Sequence, residues 1–213
     1  MSRRTPKFEP LEPREPERYE LSEPRRYTFE LERREFIRLF GGGLVVIAAA
    51  SDLLAQQEAG RGRGQGQASP EIAAWVHIDE GGHVRVSTGK VEIGQNIRTS
   101  LAQAVADELR VPIASIAMVM ADTDTTPFDA GTFGSMTTPR MAPQLARAAA
   151  AAREILIDQA AARWQTDRAS LAARDGKIVA RDGRSLAYGE LTKGQALTGT
   201  VPANPPLDTP DKW

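Results

Sequence analysis

Two stretches decide how this chain is read: Gly89-Lys90-Val91-Glu92-Ile93-Gly94-Gln95-Asn96 and Asp129-Ala130-Gly131-Thr132-Phe133-Gly134-Ser135-Met136-Thr137-Thr138. Each follows a β-prone run and precedes a helical pattern. Ahead of the first, Val84 and Val86 alternate with His83, Arg85 and Ser87, as in a half-buried strand. Behind it, Leu101, Val105 and Leu109 recur every four residues between Thr99 and Arg110, which predicts an amphipathic helix ended by Pro112. Ile116 to Met120 then predicts a buried strand. Asp122 to Thr138 lacks apolar periodicity and is dense in Asp, Thr and Gly, so it reads as a long ordered loop. Loops of that length inside a domain are usually functional or disordered. Pro139 suits the first turn of a second helix, which runs to about Trp164 with Leu145, Ala148, Ala152 and Ile155 on one face.

Both stretches mix glycine with side chains that donate hydrogen bonds without carrying charge. Glycine removes the Cβ, successive N–H groups form a concave nest, and a helix N-terminus adds partial positive charge. Gln95 offers an amide fit for the edge of a heterocycle, and Ser135, Thr137 and Thr138 offer hydroxyls for phosphate oxygens. Either loop alone is weak evidence, because glycine with Ser or Thr more often marks a structural turn.

Around this core the pattern is one of short strands. Ala74 to Ile78 and His83 to Thr88 flank Asp79-Glu80-Gly81-Gly82, a hairpin signature. His77 and His83 read as polar strand positions. Leu171 to Arg174 and Ile178 to Ala180 flank Asp175-Gly176 as another hairpin, and Ser185 reads as the cap of a short helix over Tyr188 to Leu191. The expected class is α/β (α+β): short strands and hairpins packed with two longer helices, over residues 71–200. Residues 201–213, with four prolines and no period, read as an extended exit segment.

The front of the chain differs in composition. Residues 1–31 carry prolines among Glu and Arg of both signs and read as disordered. Arg33-Arg34-Glu35-Phe36-Ile37-Arg38 and the apolar run from Leu39 to Ala50 have the layout of an export signal over 32–55. The spacing resembles the twin-arginine motif, whose machinery exports folded, cofactor-loaded proteins. Ala48-Ala49-Ala50 and Ala55 are the candidate cleavage sites, and the run is shorter than the ~20 residues of a bilayer span. Residues 56–70, glycine alternating with Arg and Gln, read as a flexible linker. The expected location is periplasmic, or membrane-associated where the signal is kept.

Composition narrows the chemistry. Charged residues are 26% of the 213, the net charge is −1 and there is no cysteine. Disulfides, thiolate zinc, iron–sulfur ligation and a cysteine nucleophile are excluded for this polypeptide. With only His77 and His83, imidazole-rich metal sites are improbable on count alone. Arg61 and Arg63 are too few for a nucleic-acid patch, so no nucleic-acid partner is expected. Asp122, Asp124 and Asp129 lack EF-hand order and read as local turn formers. Glu92 reads as a solvated strand-end glutamate.

Taken in order, Thr88-Gly89-Lys90-Val91-Glu92-Ile93-Gly94-Gln95, a helix, a strand, the Asp122-Thr123 loop with Gly131-Thr132-Phe133-Gly134-Ser135, and an alanine-rich helix resemble the xanthine dehydrogenase/aldehyde oxidase family. Within it the likeness is to isoquinoline 1-oxidoreductase-type large subunits. It covers about Trp75 to Trp164 clearly and reaches the C-terminus more loosely. The resemblance implies a molybdenum–molybdopterin cofactor, with the cytosine dinucleotide form among those it admits. It places Gly94 and Gln95 at the pterin, and Thr132, Gly134, Ser135, Met136, Thr137 and Thr138 around the pterin and its phosphate. The family's turn commonly reads Gly-Gln-Gly, whereas Asn96 stands here. No catalytic residue and no metal ligand are assigned to this chain.

The family's glycine-rich Phe loop, the glutamine near the apical metal ligand and the late Gly-Glu segment have no match here. The chain is therefore expected to be an N-terminal portion, either a gene fragment or one piece of a split subunit. Its expected partners are the remaining part of the large subunit, an iron–sulfur small subunit, a small-molecule substrate and the export machinery. The complete enzyme would hydroxylate an aldehyde or N-heteroaromatic carbon with water-derived oxygen, and this piece alone would have no turnover. The rival expectation is an exported non-enzymatic α/β interaction module or an inactive gene fragment.

Overall fold

The structure, a computed structural model, describes residues 41–49, 72–127, 129 and 131–208. The 1–31 segment, the Arg33-Arg34 pair and the 56–70 linker lie outside the described residues.

Apolar alternation becomes a five-stranded sheet. Its strands are β1 (Gly43–Ala49), β2 (Ile72–Ile78), β3 (Val84–Thr88), β4 (Ile116–Met120) and β8 (Ala196–Thr200). They lie in the order β4-β3-β2-β1-β8. β2 pairs antiparallel with both β1 and β3, whereas β3–β4 and β1–β8 are parallel. A second sheet of three short antiparallel strands, β5 (Leu171–Arg174), β6 (Lys177–Ala180) and β7 (Ser185–Ala187), follows the long helix.

Three α-helices occur among the described residues: α1 (Ile97–Leu109), α2 (Thr137–Trp164) and α3 (Tyr188–Thr192). α1 stops at Arg110, which turns left-handed (φ 56) while Val111 N–H reaches back to Ala106 O at 3.1 Å. That is a glycine-type helix end made without glycine. Pro139 falls at the third helical position of α2, where the missing N–H takes nothing from the helix ladder.

The main core lies between one face of the five-stranded sheet and the two long helices. Leu44, Val46, Val76, Ile78, Val84 and Val86 meet Leu101, Val105, Leu109, Leu145 and Leu156, all fully buried. Ala148 to Ala152 are buried together, so α2 approaches the sheet and α1 closely. Burying a Val or Leu side chain is worth about 1.5–3 kcal/mol relative to exposure, so this layer holds the fold.

Several expectations need correction. β4 is an edge strand of intermediate exposure, with Ala117 outward, rather than a buried one. Ser185 opens β7; the short helix is capped instead at Ala187, whose N–H is taken by the Glu190 carboxylate at 2.7 Å. His77 is buried, its Nε2–H donating to Gly42 O at 3.2 Å, and burial holds its pKa below the ordinary value. His83 precedes β3 and pairs with Asp79.

The folded unit also reaches beyond 71–200. Gly43–Ala49, inside the 32–55 stretch, is a strand of the main sheet, and β8 closes its far edge. The tail is tied back as well. Glu108 on α1 accepts from Asp208 N–H at 3.1 Å and from Arg153 Nη1 on α2 at 2.8 Å, while Arg110 pairs with the Asp208 carboxylate. No helix among the described residues is long and apolar enough to cross a membrane.

Candidate functional site at the carboxyl ends of two parallel strands

The two glycine-bearing loops meet because of topology. β3 and β4 run parallel with Thr88 beside Met120, so the segments leaving their carboxyl ends start as neighbours. Each then enters a helix, α1 or α2, and these helices pack against one another. In open α/β sheets the crevice outside the carboxyl ends of parallel strands is where ligands bind.

Direct bonds join the loops. Lys90 Nζ lies 2.7 Å from Asp129 Oδ1 and 2.7 Å from Gly131 O. Val91 N–H donates to Thr132 Oγ1 at 2.9 Å. Thr138 Oγ1 and Ser100 Oγ, at the starts of the two helices, are 2.9 Å apart. A Cβ on Gly89 would sit 2.5 Å from Pro127 O and 2.6 Å from Asp129 Cβ, so only glycine permits this approach.

The first loop satisfies itself. Glu92 accepts from the amides of Gly94 (2.6 Å), Asn96 (3.2 Å) and Arg98 (2.9 Å). The Arg98 amide above all, followed by those of Gly94 and Asn96, holds the Glu92 carboxyl below its ordinary pKa. Its negative charge therefore sits on the start of α1, where it suits the helix dipole. Gln95 Oε1 accepts from Ile93 N–H at 2.7 Å and its Nε2 donates to Val91 O at 2.9 Å. One N–H and one lone pair of that amide remain for a ligand. Asn96 sits at φ 62, so the turn survives where the family has glycine.

The second loop is open. Gly134 (φ 63) and Ser135 (φ 54) are left-handed, and Met136 returns to φ −100. Alternation of this kind turns successive N–H groups toward one side. Among the described residues nothing accepts from the amides of Gly134, Ser135, Thr137 or Thr138, and no side chain caps α2. The Ser135 hydroxyl is exposed and makes no hydrogen bond among the described residues. An anion fits here better than at the first loop, where Glu92 already stands.

The remaining assigned residues divide by role. Thr132 and Thr138 hydroxyls are spent on loop and helix junctions, and Thr137 is buried. Met136 is exposed, together with Ile93 and Phe133, so an apolar rim flanks the polar bend. Sequence reasoning missed Lys90, Glu92 and Asp129 as the builders of the site. Asp122 does form a local turn, accepting from Asp124 N–H at 2.9 Å, but Asp129 spans the two loops. The neighbouring helix start was the available signal for Glu92, whereas Lys90 and Asp129 become partners only through the parallel pairing of β3 with β4.

The molybdopterin cofactor-binding domain family matches residues 17–213. The chain belongs to this family. It is 38% identical to a nicotinate dehydrogenase subunit of Pseudomonas putida over 125 residues, 59% of this chain and 10% of that protein. It is 30% identical to the beta subunit of isoquinoline 1-oxidoreductase from Brevundimonas diminuta over 149 residues, 64% of this chain and 19% of the relative. A solved Cu,Mo-CO dehydrogenase overlays 69% of the chain and 18% of its own with a TM-score of 0.51 at 25% identity. The chain thus spans between a tenth and a fifth of these relatives' lengths. The resemblance to the xanthine dehydrogenase group of molybdopterin-binding large subunits holds.

Proposed function

We propose that this chain supplies one wall of the molybdopterin site in a molybdenum hydroxylase large subunit. The observation that carries the reading is the open bend Gly134–Thr138, where the amides of Gly134, Ser135, Thr137 and Thr138 have no acceptor among the described residues at the uncapped start of a long helix, beside a self-satisfied glycine turn. The donor set suits a polar, anionic organic ligand: backbone N–H groups, the Ser135 hydroxyl and the spare valences of the Gln95 amide. The cofactor, when bound, supplies the two-electron redox chemistry and the oxygen transfer. This chain's residues position it. The amides of Gly134, Ser135, Thr137 and Thr138 would take its phosphate and Gln95 would meet the pterin edge, while Lys90 with Asp129 keeps the two loops at a fixed separation.

The complete enzyme hydroxylates an aldehyde or an N-heteroaromatic carbon with oxygen from water. Iron–sulfur clusters that would accept the electrons belong on a small subunit, since this chain has no cysteine to hold them. The exposed Ile93 and Phe133 are covered by the remaining part of the large subunit.

The test is the molybdenum and pterin content of the assembled enzyme carrying Gln95→Ala together with Ser135→Ala. The expected result is a several-fold fall in both, with an unchanged thermal transition in the cofactor-free protein. Unchanged molybdenum would place the cofactor elsewhere.

A further inference from the structure

The apolar stretch that follows the arginine pair has two incompatible uses. As the hydrophobic part of a leader it sits in or near a membrane and is then cut away. As a strand it must stay. The structure gives it the second use in detail: β1 lies between β2 and β8, hydrogen-bonded on both edges, antiparallel to one and parallel to the other. Leu44, Val45 and Val46 are all fully buried, so both faces of the strand are covered. Strands buried on both faces read as continuous apolar runs, which is also how a leader reads.

Gly43 distinguishes the two. Its φ of +131 favours glycine, and a Cβ there would lie 2.3 Å from Ile78 O and 2.9 Å from His77 Nε2. A leader has no use for that constraint; the entry to this strand does. The Gly43 N–H also donates to Gln195 O at 2.9 Å, fastening the strand to the run into β8. The family match begins at residue 17 and so contains β1.

We infer that Gly43–Ala49 is a permanent strand of the folded subunit, so that neither Ala50 nor Ala55 is a processing site, wherever the protein resides. Removing it would leave β2 and β8 without their common neighbour and uncover Val76, Ile78 and the α2 face they pack on. This inference does not depend on the cofactor reading, because it concerns the sheet alone.

The experiment uses the full chain with its own N-terminus, expressed in a bacterial host and purified from whichever fraction holds it. Peptide mapping by mass spectrometry is expected to find Gly43–Ala49 as abundant as the Thr88–Arg98 region. A mature N-terminus at Ser51 or Gln56 in protein that still unfolds cooperatively overturns the inference. Val46→Asp provides a second readout. A charge at this fully buried position is expected to abolish the cooperative unfolding transition, whereas a spent leader would leave the midpoint where it was. Molybdenum content is not read in either arm, so failure here and failure of the cofactor assignment stay distinguishable.

Discussion

Replacing Lys90 with methionine tests whether the two loops are held together as described. The Lys90 and Asp129 side chains are 16% and 10% exposed, so solvent screens their 2.7 Å contact only weakly. Methionine keeps the apolar stem and deletes the ammonium. Asp129 Oδ1 then retains the Gly131 amide at 2.8 Å, and Gly131 O loses its 2.7 Å donor. A hydrogen bond to a charged group is worth about 1.5–3 kcal/mol net, and the surviving amide offsets part of the loss, so about 2 kcal/mol is expected. For a chain of this length that lowers the melting temperature by roughly 4–8 °C. Differential scanning calorimetry of Lys90→Met, Asp129→Asn and the double variant gives the coupling directly. The double variant should cost about 1–2 kcal/mol less than the two singles together. Hydrogen exchange at the Val91 amide, which is bonded to Thr132 Oγ1, should quicken in each variant. Additive costs with unchanged Val91 exchange would refute the idea that this pair sets the loop separation.

Two further outcomes concern the scaffold. Arg153→Met leaves Glu108, 3% exposed, without its guanidinium partner while the Asp208 amide still points at it; a loss of about 3–5 kcal/mol is expected by urea denaturation. His77 titrates below its ordinary 6.5 because it is buried, and its native state is neutral. Its contribution is therefore whole above pH 6.5 and declines as pH falls from there toward the lowered native value, where the unfolded chain alone takes up the proton. Melting temperatures measured from pH 7.5 to 5 should fall across that window, and His77→Gln should flatten the fall.

Much of the architecture was legible in the residues. The alternation at Val84 and Val86, the four-residue spacing of Leu101, Val105 and Leu109, and the Asp175-Gly176 turn each predicted the element that formed. These signals are local, and local periodicity reports which face is buried. Three things were not local. Ala196–Thr200 has too few apolar residues and a glycine at 199, so it does not read as a strand, and it becomes one because β1 offers an edge beside it. Leu44 to Val46 are apolar in succession, which a central strand and a leader share. Lys90 and Asp129 carry no pattern that pairs them. The loops themselves were visible as glycine and hydroxyl clusters, but which of them stays open was decided by Glu92, whose carboxylate is spent on the amides of its own turn.

The parallel pairing of Gly43 with Ala196 joins positions about 150 apart in the chain. During synthesis β1 must wait for the roughly 150 intervening residues before its second neighbour exists. Until then its outer edge is a bare row of amides and carbonyls flanked by valine and leucine, the sort of surface that recruits other nascent chains. Folding of this sheet should consequently be slow and sensitive to the supply of chaperones, and over-expression should yield inclusion bodies before it yields folded protein.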